Sequence, residues 1–363
     1  MKGHEPQRIR FAVVGCGNIG SRHLHHITSN SEAELVGLCD NDGAVAAKYA
    51  TQCNVPAFTD YSEMLNRSNA DVVSICTPHA LHAPMTIEAV AAGKHVLVEK
   101  PMALTVSDAL RMKDAAAAKG VHLMMVWQNR YNVPVQLTYN ALRDRRLGRI
   151  FMVHCSVLWN RPQGYYDSSP WRGSTRLEGG ALYTQCSHFV DLLIHFFGEI
   201  ESVNSVGDTK NHSIEIDDCG AAILQFHSGV LGTITYTTCV HNKNYEGSIT
   251  IVGEKGTIKI GGEYLNTIEF WNVENFPLPR AIQFTDKPNR YTSYSGSASN
   301  HDKVIADVIA TVTQRVPRVP GWDDGHRVVK AIQMIYESQA KSGAVVTDAD
   351  FHATEDLLAL AAG

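Results

Sequence analysis

One lysine, one histidine and a loop dense in arginines and aromatics are the residues of this chain whose placing could do chemistry. Lys100 stands in Glu99-Lys100-Pro101, where an apolar run from His95 to Val98 ends. Pro101 fixes φ and removes a donor, so the chain turns sharply there and aims Lys100 away from the strand. An ammonium so placed can hydrogen-bond a hydroxyl and stabilise the alkoxide that forms as its carbon is oxidised. A solvated surface lysine is the plainer reading. His188 lies in Gly180 to Phe197, a stretch with helical spacing. On one regular helix Thr184, His188 and Asp191 would share a face, being four and three apart. An imidazole titrates near neutrality and can take a hydroxyl proton; a satisfied core histidine is the alternative. The third group runs from Trp159 to Asp167 and on to Trp171-Arg172-Gly173. Arg161 and Arg172 could fork onto a carboxylate or phosphate, with Tyr165, Tyr166 and Trp171 around a sugar. A packing loop or a subunit contact would use the same residues.

The elements that must position these groups are set by Arg8 to Asp40. A short apolar run, Arg10 to Val14, stops at Gly15-Cys16-Gly17-Asn18-Ile19-Gly20; a helical segment to Thr28 and a second apolar run, Leu35 to Cys39, then lead to Asp40. Strand, glycine-rich turn, helix, strand and acid make a dinucleotide-binding unit, with the phosphates at the helix start. Asp40 can accept from a ribose 2′-hydroxyl and would repel a 2′-phosphate, which favours NAD over NADP. Strand and helix go on alternating to Val126, which predicts a doubly wound parallel sheet with ligands beyond the carboxyl ends of its strands. Cofactor contacts are therefore expected at Gly15, Gly17, Asn18, Ile19, Gly20, Asp40, Thr77, Pro78, His82, Glu99, Lys100 and Gln128. After Gly148 the pattern changes. Ile150 to Trp159, Cys219 to His227, Val230 to Val240, Glu246 to Val252 and, after a turn at Gly253 to Gly256, Thr257 to Ile260 read as strands of an open, mainly antiparallel sheet, covered by the Gly180–Phe197 helix. The class is α/β: an N-terminal Rossmann domain, 1–128, then an α+β domain, 129–363. Late helices, Asn300 to Gln314 and Asp323 to Ala340, are expected to pack back on the first domain.

A length of 363 residues suits two such domains, and a formal charge of −5 offers no attraction for nucleic acid or an anionic membrane. Arg143 to Arg146, the densest basic cluster, reads as a solvated helix end. No signal-peptide core or bilayer-spanning run is seen, and eight scattered cysteines without a CxxC pair fit reduced thiols in a cytoplasmic protein. His23, His25 and His26 would not converge on one helix face, so no metal is expected.

Taken in order, Gly15 to Gly20, Glu99-Lys100-Pro101 and Gly179-Gly180…His188…Asp191 resemble the Gfo/Idh/MocA oxidoreductases over nearly the whole chain. The resemblance implies a Rossmann domain followed by a mostly antiparallel β domain, assembly into a homo-oligomer (dimer or tetramer) through that sheet, and hydride exchange between a sugar or cyclitol carbon and nicotinamide. It also implies Lys100 and His188 as the catalytic pair. Many members carry Asp four residues before the histidine; Thr184 stands here, which leaves the base as either His188 or Lys100. Gln128-Asn129-Arg130, Trp159 to Asp167, Trp171-Arg172-Gly173, Gln185, Ser187-His188 and Glu246 to Thr257 are similar to bacterial UDP-N-acetylglucosaminuronate 3-dehydrogenases of surface-polysaccharide sugar synthesis. That likeness implies oxidation of C3 to a ketone, with Lys100, Arg130, Arg161, Tyr165, Tyr166, Trp171, Arg172, Thr184 and His188 around the substrate. A dehydrogenase of a free sugar or inositol is the first alternative. A non-catalytic NAD-binding sensor is the second, and the presence of both Lys100 and His188 weighs against it.

Overall fold

Six parallel strands build the first unit: β1 (Ile9–Val14), β2 (Ala33–Cys39), β3 (Ala57–Phe58), β4 (Val72–Ile75), β5 (His95–Val98) and β6 (Leu123–Met125), in the order β3-β2-β1-β4-β5-β6. The computed structural model describes residues 8–279, 282, 288–290, 295–314 and 319–351. Between the strands run α1 (Asn18–Thr28), α2 (Gly43–Cys53), α3 (Tyr61–Arg67), α4 (His82–Ala91) and α5 (Val106–Lys119). The strands are almost wholly buried, as a parallel sheet between helices requires. Their helices start where the sequence supplies an oxygen. Asp42 caps α2, Asp60 caps α3 and Thr105 caps α5, each accepting from N–H groups of the first turn. Helices α1 and α4 differ: no side chain caps either, and the first turn of each holds no acid.

The second unit is built on an eight-stranded sheet. After α6 (Val133–Arg143) come β7 (Ile150–Leu158), the short α7 (Gln163–Asp167), α8 (Ser187–Phe197), β8 (Ile200–Asp208), β9 (Cys219–Phe226), β10 (Leu231–Thr237), β11 (Glu246–Gly253), β12 (Gly256–Gly261) and β13 (Thr267–Val273). A small pair, β14 (Pro288–Arg290) and β15 (Ser295–Ala298), precedes helices α9 (His301–Val312) and α10 (Trp322–Ala340) and a last strand, β16 (Val346–Thr347). The large sheet runs β13-β12-β11-β7-β10-β9-β8-β16. Its pairs are antiparallel except β7 with β10, which run parallel.

Alternation along these strands buries one face, with Val153, Cys155, Ile234, Leu224, Ile249 and Ile258 among its residues. Helix α8 lies on it, Phe189 edge-on to Trp159 and Phe197 edge-on to Phe226. The other face keeps Met152, Val206, Ile223, Leu231 and Phe270 exposed, Ile223 at 60% and Val206 at 61%. The units interleave along the chain. The first takes Met1–Trp127 and His301–His326, the second Gln128–Asn300 and Arg327–Gly363. Helix α9 packs on α1 within the first unit, whereas most of α10 belongs to the second.

Candidate active site

In the first unit the glycine-rich turn has the shape a pyrophosphate needs. Gly15 adopts φ +83°, and a Cβ there would lie 2.6 Å from the Cys76 carbonyl oxygen. A Cβ on Gly20 would meet the Gly15 carbonyl oxygen at 1.8 Å, while one on Gly17 would meet nothing within 4 Å. The turn thus closes tightly on the sheet and stays open at Gly17, where the uncapped N–H groups of α1 favour an anion. Asn18 and Ile19 open that helix. At the end of β2, Asp40 accepts from Cys16 N–H at 2.8 Å and from Asp42 N–H at 2.9 Å, so its carboxylate is fixed beside the turn. These residues fit a dinucleotide, and they would hold it by backbone N–H groups and one carboxylate.

The loops after β4 and β5 carry the rest of the expected rim, and two of its members look inward. His82 is fully buried, with Nδ1 2.6 Å from the Pro101 carbonyl oxygen and Nε2 2.9 Å from that of Thr77. It ties the Thr77–Pro78 loop to the Lys100–Pro101 turn, whose peptide bond is cis. Burial lowers its pKa from the ordinary histidine value, although both carbonyls favour the charged ring. Glu99, also buried, accepts at Oε1 from His23 Nε2 at 2.9 Å and at Oε2 from Lys100 N–H at 3.1 Å; His301 Nε2 stands 3.5 Å from Oε1. His23 Nδ1 reaches Ser74 Oγ at 2.7 Å. Burial penalises the Glu99 charge, yet the hydrogen bonds from His23 and His301 hold the carboxyl well below the usual carboxylate range. Burial likewise opposes a charged His23, and Cys76 and Glu99 outweigh it, pushing the ring up to about 10. A carboxylate so engaged anchors the backbone of Lys100. Glu99 and His82, both expected at the cofactor, find partners for their polar atoms in α1, α9, the Lys100 N–H and two loop carbonyls.

The second unit presents His188 as the second residue of α8, a helix buried throughout its first two turns. The regular helix expected from Gly180 is broken. Leu182–Cys186 form a π turn, so Thr184, four residues before His188, does not follow the spacing of an α-helix. Thr184 Oγ1 turns back to the Gly180 carbonyl oxygen at 3.3 Å. Asp191 holds Arg130 through two parallel bonds of 2.9 and 2.5 Å, a bidentate pair. Gln128 donates to Ser297 Oγ at 3.1 Å.

The arginine-rich loop is more deeply buried than its composition implied. Arg161 is 1% exposed and donates to the Asn160 carbonyl oxygen, to Asn244 Oδ1 and, at 2.7 Å, to Gln185 Oε1. Tyr165 and Tyr166 pack with Ile216 and Ile214; Gln185 donates to the Tyr165 hydroxyl, and the Tyr166 hydroxyl pairs with Thr238. Burial raises the Tyr166 hydroxyl well above an ordinary phenol. Arg172, half-buried, stacks over Tyr165 at 4.1 Å and over Trp171 at 4.7 Å. Tyr166 is thus packed into the loop, and the guanidinium groups of Arg161 and Arg172 both lie against the Tyr165 ring, that of Arg161 at 5.6 Å. Sequence reading missed Gln185 and Asn244 as partners of Arg161, and the buried acids Glu178 and Asp218. A buried acid in a polar loop has no local signature.

The family model for oxidoreductases with an NAD-binding Rossmann fold matches residues 9–126, and the C-terminal domain model of the same group matches 135–259. Among solved structures, the WlbA dehydrogenase of Bordetella pertussis, in complex with NADH and UDP-GlcNAcA, is 35% identical with a TM-score of 0.85, covering 94% of this chain and 99% of its own. The WlbA dehydrogenase of Chromobacterium violaceum, also with NADH and UDP-GlcNAcA, is 34% identical at the same TM-score, covering 96% and 99%. Glucose-6-phosphate 3-dehydrogenase of Bacillus subtilis is 24% identical, over 92% of this chain and 97% of its own.

Proposed function

The chain belongs to the Gfo/Idh/MocA family of NAD-dependent oxidoreductases, and from that premise we propose that it oxidises C3 of a UDP-linked N-acetylated glucuronic acid to the ketone. One observation carries the substrate: the full-length likeness to two dehydrogenases solved with NADH and UDP-GlcNAcA. A bound nicotinamide would supply the hydride acceptor. Lys100 hydrogen-bonds the reacting hydroxyl and stabilises its oxygen as charge develops, and His188 takes the proton. The proposal requires that these two groups meet beside the same sugar carbon. Arg172, half-buried and stacked on Tyr165 and Trp171, supplies a cationic surface for an anionic substituent, Arg161 holds the loop from beneath through Gln185 and Asn244, and Asp40 selects NAD over NADP.

NADH formation with UDP-N-acetylglucosaminuronate, set against inositol, free hexoses and a hexose phosphate, tests the substrate. Lys100→Ala and His188→Ala variants that bind NAD normally and still turn over would refute the assigned roles. Among the described residues no helix is long and apolar enough to cross a membrane, and all eight cysteines are free thiols, which supports a cytoplasmic setting. The exposed apolar face of the large sheet supports a homo-oligomer packed sheet to sheet. Light scattering that reads a monomer at micromolar concentration would remove that part.

A further inference from the structure

Helix α8 is preceded by a π turn, and π turns do not form on local preference alone. Two consecutive acids border it. In extended chain, neighbouring side chains point to opposite sides, and Asp217 and Asp218, just before β9, do so. Asp217 Oδ1 accepts from Ala181 N–H at 3.1 Å and from the Tyr336 hydroxyl at 2.9 Å; the Tyr236 hydroxyl donates to Oδ2. The Tyr336 oxygen in turn accepts from Leu182 N–H at 3.1 Å. Gly180 is the residue that makes room: it adopts φ +141°, and a Cβ there would fall 2.0 Å from that phenol oxygen. Burial raises the Asp217 carboxyl above its ordinary value, against the pull of Tyr236, Ala181 and Tyr336.

On the other side, Asp218 accepts from the N–H groups of Lys210, Asn211 and His212 and lies 2.8 Å from His212 Nδ1. His212 Nε2 reaches the Arg161 carbonyl oxygen at 2.7 Å, and the Arg161 guanidinium holds Gln185, the fourth residue of the π turn. We propose that Asp217 and Asp218 are positioning residues for His188: one holds the entrance of the π turn through Ala181 and Tyr336, the other holds its far end through His212, Arg161 and Gln185. This inference rests on the reading of His188 as the group that takes the proton. Held at both ends, the turn fixes where α8 begins and so where the His188 ring is presented.

Tyr336→Phe removes one hydroxyl and little volume, and His212→Leu, which has neither ring nitrogen, cuts the second arm. Each should lower kcat about tenfold, the worth of one such hydrogen bond, while KM for NAD and the NAD dissociation constant hold. Each should also speed amide hydrogen exchange across residues 181–188 about tenfold and leave the α1 and β1 peptides unchanged. Asp217→Asn, which keeps one oxygen to accept from Ala181 N–H and the Tyr336 hydroxyl and turns its amide N–H to the Tyr236 oxygen, should retain far more kcat than Asp217→Ala. Wild-type exchange over 181–188 in both single variants overturns the proposal whatever the activity. So does faster exchange with undiminished kcat when His188→Ala is inactive. An active His188→Ala would instead refute the proton acceptor itself, and the exchange data would still say whether the acids hold the turn.

Discussion

Replacing Glu99 by Gln tests the buried pair behind Lys100 by its charge, and the structure sets both size and pH range. The substitution keeps shape and an acceptor for Lys100 N–H, but it removes the carboxylate that His23 faces at 2.9 Å in a site with almost no exposure. Breaking a buried pair by removing one partner costs roughly 3–5 kcal/mol. The rise of His23 from 6.5 to about 10, in which Cys76 weighs more than Glu99, bounds the share of the pair from above at roughly 5 kcal/mol, at about 1.36 kcal/mol per pH unit. The folded ring has the higher pKa, so its stabilising effect is complete below the unfolded value of 6.5 and is lost as pH rises through about 10. On the acid side Glu99 is held low, so its effect is present above the ordinary 4.5 and is lost as pH falls through its depressed value. Urea unfolding followed by the fluorescence of Trp127 and Trp322, both in the first unit, gives the comparison at pH 7, 8, 9 and 9.5. At pH 7 Glu99→Gln should be less stable by about 3–5 kcal/mol, near 6–20 °C in Tm at the usual 2–4 °C per kcal/mol for a unit of this size. The gap should shrink as pH rises, because the wild type loses the His23 proton that Glu99 helps to hold. Two parallel stability curves, or equal stability at pH 7, would refute the charged pair.

Gly180→Ala should cost at least about 3 kcal/mol and abolish turnover, since its Cβ meets the Tyr336 phenol and its φ is positive; a thermal melt within a degree of wild type would contradict the packing. Asp191→Asn leaves Arg130 without its bidentate carboxylate and should destabilise by roughly 3–5 kcal/mol, read by urea midpoint. Asp40→Ala frees Cys16 N–H and removes the charge that repels a 2′-phosphate, so the NAD-over-NADP preference in kcat/KM should fall at least about tenfold; an unchanged ratio would exclude Asp40 as selector. Ile223→Lys, on the open sheet face, should shift the species in light scattering to a lower mass without altering the far-UV spectrum.

Much of this molecule is decided by neighbours along the chain. The glycine turn at Gly15–Gly20, the caps Asp42, Asp60 and Thr105, and the buried parallel strands are all local signals, and each element appears within a few residues of where the pattern puts it. Lys100 at the end of β5 was legible for the same reason. The parallel pairing of β7 with β10 was not, because pairing depends on strands some eighty residues apart meeting in register.

The sequence by itself determined the two-part α/β plan, the dinucleotide turn and the places in the chain of Lys100 and His188, the pair proposed for the chemistry. Only the tertiary structure decided how they are held. Ala181 and Leu182 are bound by Asp217 and Tyr336, 36 and 154 residues away, and that long-range grip turns an apparently regular helix into a π turn. It likewise faced Glu99 and His82 inward, because a buried polar atom goes wherever the fold supplies its partner, and no spacing along the chain encodes that partner.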